Sequence, residues 1–188
     1  MDNLVFNCTD ALDQPVQPAC ATEYGSAVVG IAFMKKGGTF TVASSDYPTK
    51  AEFDTAITAG TITFYGGISN GTRVSQGGTE LSGDDTVSGG TEIKDEVYRV
   101  AGRIKVINEA ISRATEKLGR FTELRMWYFT EKNYVFGGPA GYLGSPYMGL
   151  KVQEGRKASV YIPFQFDFVA IGADNAGYDA DFDALVNS

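Results

Sequence analysis

The stretch Leu124-Arg-Met-Trp-Tyr-Phe-Thr130, Glu131-Lys132-Asn133, Tyr134-Val-Phe-Gly137 sets the character of the chain. Two runs rich in aromatic and β-branched residues flank three polar residues that suit a tight turn, so the stretch predicts a short-looped antiparallel hairpin. The chain should therefore be built mainly from strands.

Working outward, Tyr98 to Val106 alternates strictly. Tyr98, Val100, Gly102, Ile104 and Val106 fall on one face, and Arg99, Ala101, Arg103 and Lys105 on the other. One face belongs to a core and the other is basic. Val160 to Phe168 alternates in the same way, with Val160, Ile162, Phe164, Phe166 and Phe168 opposite Tyr161, Pro163, Gln165 and Asp167. Pro163 cannot donate to a ladder, which predicts an edge strand or a bulge. An exposed edge is a place where another subunit can add a strand.

Upstream, Ser26 to Lys35 is a near-continuous apolar run closed by Lys36-Gly37-Gly38, and Thr39-Phe-Thr-Val42 resumes a β-favouring pattern. The pair predicts a buried hairpin. Thr49-Lys-Ala-Glu52 is a capping box and predicts a helix over 50–59 with Phe53 and Ile57 inward and Gly60 as its stop. Thr61 to Tyr65 reads as a strand. Asn108 can cap a second helix over 109–118, in which Ile111, Ala114, Thr115 and Leu118 share a face and Glu109 and Arg113 form an i,i+4 pair.

Two segments resist such a reading. Gly66 to Gly90 holds eight glycines in 25 residues and little apolar content beyond Ile68, Val74, Leu81 and Val87. It cannot bury itself, and its composition suits a mobile excursion or an arm, at about 66–91, that orders against a neighbour. Gly138 to Gly155 is broken by glycine and proline yet carries Tyr142, Leu143, Tyr147, Met148 and Leu150, so it reads as a loop lying against its own domain or a partner. The tail from 172 to 188 is acidic and reads as loosely held.

The 188 residues suit one β-rich domain, with 23 glycines and 12% aromatics. The formal net charge is −7, which disfavours nucleic acid and anionic membranes as partners. Nine of the 16 basic residues nevertheless fall between Lys94 and Lys132, whereas the first 34 residues carry four acids and no base, and the last 22 carry five Asp and no base. Acidic ends beside a basic middle can help subunits dock. No leader or membrane-spanning run is legible. Cys8 and Cys20 flank a turn-rich stretch and would bond only in an oxidising setting.

No histidine is present, which excludes serine or cysteine triads and zinc sites of ordinary composition. Carboxylate-pair or Ser-Lys chemistry survives that exclusion. Asp167, between Phe166 and Phe168, lies opposite the phenylalanine face by alternation, so solvent or a subunit contact is its expected surrounding. Gly137-Gly-Pro-Ala-Gly141 lacks the Lys-Ser/Thr of a phosphate loop. Asp179-Ala-Asp-Phe-Asp183 places three carboxylates at alternate positions but lacks the glycine and terminal glutamate of a calcium loop. Arg99, Arg103 and Lys105 could meet phosphates, with Trp127 and Tyr128 stacking bases, but the acidity favours a salt-bridging or intersubunit face.

With these elements in order, the chain from Glu92 to Phe168 resembles virion structural proteins of tailed bacteriophages, particularly tail-tube and related ring-forming subunits. The likeness is carried by the strand, the short helix, the charged-aromatic strand, the Lys-Asn turn, Tyr-Val-Phe-Gly-Gly138 and a closing alternating strand. It implies a β-sandwich or small barrel flanked by one or two short helices, a long hairpin arm reaching a neighbour, and cyclic rings that stack. It departs from a tube subunit in the arm, where Ser69 to Thr91 alternates less regularly than expected.

The sequence is thus expected to encode a mainly β (α+β) domain, an antiparallel sandwich or small barrel, that is not an enzyme and takes no cofactor or metal. The expected role is a virion subunit, made in the host cytoplasm, that forms rings of a tail tube or head–tail connector. Its partners would be copies of itself, other virion proteins and DNA as passing cargo, with no membrane. Ile68, Val74, Leu81, Val87, Arg99, Arg103, Tyr161 and Asp167 are the expected assembly residues. A capsid auxiliary protein, a fibre or adhesin module and an enzyme with an unrecognised carboxylate or Ser-Lys site are the alternatives.

Overall fold

A computed structural model of the chain describes residues 27–43, 47–76, 79–82, 91–94, 97–106, 108–153, 160–169 and 176–186. Twelve strands and three helices occur among them: β1 (Val28–Lys35), α1 (Lys50–Thr58), β2 (Ile62–Tyr65), β3 (Ser69–Ser75), β4 (Thr79–Ser82), β5 (Thr91–Lys94), β6 (Val97–Lys105), α2 (Glu109–Leu118), β7 (Leu124–Thr130), β8 (Tyr134–Phe136), β9 (Tyr142–Met148), β10 (Val152–Gln153), β11 (Val160–Val169), β12 (Ala176–Tyr178) and α3 (Phe182–Val186). The chain is mainly antiparallel sheet with short helices.

The main sheet runs β2-β1-β7-β9-β11-β6-β3, with β8 and β12 continuing beside β7 and β10 beside β11. Its two ends, β2 and β3, are consecutive in sequence, so the sheet curls back on itself without closing its ladder. One hydrogen bond, from Ile68 N–H to Val29 C=O (2.9 Å), crosses the seam. There Gly71 passes so close to β1 that a Cβ would stand 1.9 Å from the Val28 carbonyl oxygen. Only glycine fits.

The inner face of the curl gathers Ile31, Phe33, Val100, Ile104, Leu124, Met126, Tyr128 and the phenylalanines of β11. Helix α2 closes one end, with Leu118 in this core and Thr115 and Tyr65 joined by their hydroxyls (3.3 Å). A second layer lies outside β1 and β7, where Phe53 of α1 packs on Trp127, Phe129 and Phe182. Strands β1 and β7 are therefore buried on both faces, which is why both read as unbroken apolar runs. Strands β6 and β11 bury one face and alternate.

Both helices and the 124–137 hairpin form where the sequence places them. Glu52 accepts from the backbone of Thr49 (2.7 Å) and of Ala43 (2.6 Å), and Asn108 caps α2 by accepting from Ile111 N–H (2.9 Å). Asn133 takes the left-handed conformation that the β7–β8 turn requires (φ 61°).

Four expectations need correction. Residues 39–42 form no strand, because β2 and β7 already occupy the two edges of β1; Phe40 instead packs on Phe53 and Trp127. The 138–155 segment is not a loop: β9 is inserted between β7 and β11. Strand β11 is interior, flanked by β6 and β9, and not an edge. Pro163 is tolerated because its carbonyl accepts from Gly149 N–H (2.7 Å) just beyond the end of β9, so its missing donor faces the same side, where that ladder has stopped. The described part of the acidic tail is docked, with β12 paired to β8 and Phe182, Leu185 and Val186 buried.

The glycine-rich segment divides. Its first part is β3 of the main sheet, and the same two chain segments continue past the Gln76 N–H to Val97 C=O bond (2.7 Å) into the separate pair β4–β5. Residues 83–90, and Cys8 and Cys20, lie outside the described residues.

Candidate assembly face

Strands β3, β6, β11 and β9 turn one face into the core and leave the other outward. Their registers arrange the outward residues in rows. Val74, Arg99, Asp167 and Ser145 form one row, and Thr72, Ala101, Gln165 and Tyr147 the next. Arg103 lies beside Pro163, and Lys105, Tyr161 and Val152 follow. Every one of these side chains is half-buried or exposed, in contrast to the layer that α1 and α3 lay over β1 and β7.

Large apolar groups stand in this face, with Tyr147 61% and Val74 45% exposed and Leu143, Val152 and Val169 also open to solvent. Two of the cations between them are engaged within the face. Arg99 grips Asp167 through both oxygens, Nε to Oδ1 at 2.6 Å and Nη2 to Oδ2 at 2.7 Å. That fork geometry is a strong form of ion pair, and the bond to Asp167 raises the Arg99 pKa above its ordinary value. Arg103 lies over the Tyr161 ring at 4.5 Å, a cation–π contact. Covering such a face strands no lone charge at the Arg99–Asp167 position.

Of the eight assembly residues expected from sequence, Val74, Arg99, Arg103, Tyr161 and Asp167 share this face. Ile68 does not: it is 7% exposed and belongs to the inner core, because β2 and β3 carry it across the seam. Leu81 falls in β4, where the backbone alone is described, and Val87 lies outside the described residues. Tyr147, Leu143 and Val152 belong to the face and were not on the expected set. The alternation Leu143, Ser145, Tyr147 was the available signal, masked by Gly144 and Pro146 between them.

Elsewhere, the Asp179 carboxylate is engaged within the fold, accepting from the N–H groups of Lys50 (2.9 Å) and Asp181 (3.0 Å). It caps α1. Among the described residues no three metal-ligating side chains converge, and no helix is long and apolar enough to cross a membrane. No protein-family model, curated protein or solved structure matches this chain.

Proposed function

We propose that this chain is a non-enzymatic structural subunit of a tailed-phage virion that self-assembles into rings of a tail tube or head–tail connector. The observation that carries the reading is the outward face of β3, β6, β11 and β9. It is broad, it exposes Val74, Leu143, Tyr147, Val152 and Val169 among polar groups, and its central Arg99–Asp167 pair is already neutralised, as suits a surface that a second subunit covers. The β4–β5 pair adds support, since an isolated two-stranded ribbon is marginal in water and gains from a neighbour. Net acidity suits a lumen along which DNA slides without sticking.

The interior place of β11 changes the mode of assembly. Copies meet through side chains of the sheet face and through the β4–β5 ribbon, not by adding a strand to β11. Solution mass measurement with negative-stain microscopy tests the reading. Rings or tubes are expected, and a protein that stays monomeric at high concentration would sink it.

A further inference from the structure

A cavity of about 500 Å³ opens between the end of β1, the turn after α1 and the C-terminal end of α2. Its floor is apolar, made by Phe33, Leu118 and Phe121, and three cations line it: Lys35, Lys117 and Arg120. No acid lines it, and none of the three cations has a carboxylate partner among the described residues. Lys35 rests its Nζ 5.5 Å above the Phe121 ring. The α2 dipole accounts for cations at its C-terminal end but not for Lys35, which arrives from β1. Three unmatched positive charges over an aromatic floor, in a chain of net charge −7, call for an anionic group carried on an apolar body.

We infer that this cavity is the docking site of the chain's own N-terminal stretch, residues 1–26, through its acids and its Leu4-Val-Phe6 cluster. That stretch holds Asp2, Asp10, Asp13 and Glu23 and no base. Leu4, Phe6 and Leu12 stand among those acids and supply the apolar body that the floor requires. Its 26 residues reach far: an extended chain covers roughly 3.4 Å per residue, whereas Ala27 and Lys35 lie only one strand length apart. Of the other base-free stretches, 77–93 is held at both ends by the β3–β6 ladder and its described parts pair with each other, and the described part of 167–188 is docked through β11, β12 and α3. Residues 1–26 join the described residues at Ala27 alone. The inference does not depend on ring formation.

Zero-length carbodiimide coupling of the full chain, read by mass spectrometry, tests it. Amide links are expected from Asp2, Asp10, Asp13 or Glu23 to Lys35 and Lys117. Mixing isotope-labelled and unlabelled protein shows whether the link forms within one chain or between copies, and either supports the site. Arg120→Glu leaves both lysines in place and should remove most of the linked product, and L4S/F6S should do the same without touching the cavity. An unchanged circular-dichroism melt confirms that each variant is folded. Links from Lys35 and Lys117 only to other carboxylates, such as those of 80–96, or a yield undiminished in both variants, would overturn it.

Discussion

Glu52 shows how much one side chain fixes. Burial works to raise its pKa, but hydrogen bonds from the Ala43 and Thr49 backbones and the Thr49 hydroxyl outweigh that effect and hold it below the ordinary carboxylate value. A carboxylate depressed in the folded state adds stability above its unfolded pKa, and loses it as pH falls through the folded one. Glu52→Gln should therefore cost about 1 kcal/mol at neutral pH. The gap from the unmodified chain should close in acid, as urea titrations at a series of pH values would reveal. Gly71→Ala places a methyl where the Val28 carbonyl lies and should lower stability by about 1–3 kcal/mol or abolish folding. An equal loss from Gly37→Ala, at an exposed glycine with open space around it and no left-handed φ, would contradict the seam geometry.

Elements differ in how plainly the sequence announces them. Helix α2, with Asn108, Thr115, Leu118 and Gly119 in their roles, and the β7–β8 hairpin were legible because their signals are local. So was the one-sided burial of β6 and β11. What stayed hidden depended on distant partners. Nothing near Thr39 tells that both edges of β1 are taken, and Gly144 and Pro146 make β9 look like a loop. Gly144 is dictated by the Asp167 carbonyl, 2.2 Å from where its Cβ would sit, a neighbour invisible in sequence. The C-terminal segment misled for the same reason, since Phe182 gains its value only against Phe53 and Phe129. Phe182→Ala should destabilise by about 3–5 kcal/mol in chemical denaturation. A change near zero would show α3 to be a dispensable tail.

At the scale of the molecule, the candidate face was partly legible: alternation assigns Arg99, Arg103, Tyr161 and Asp167 to outward positions but does not show which strands lie side by side. The assembly reading makes two separable demands. Tyr147→Glu should leave the thermal melt within a degree or two while reducing association, because Tyr147 is 61% exposed in the isolated subunit. Sedimentation velocity distinguishes this from a folding defect. Deleting 77–90 should likewise give a folded subunit that no longer assembles, and unchanged assembly would reduce that segment to a loop.

The two-sided burial of β1 has a consequence for how the protein comes into being. Ile31 pairs with Tyr128, about a hundred positions later, so the most apolar strand leaves the ribosome long before the strand that covers it. Until Leu124–Thr130 emerges, β1 has only β2 as a ladder partner and stays open along its other edge. Chains interrupted before that point should aggregate instead of folding in part, and production of the protein will depend on how quickly translation crosses the interval between them.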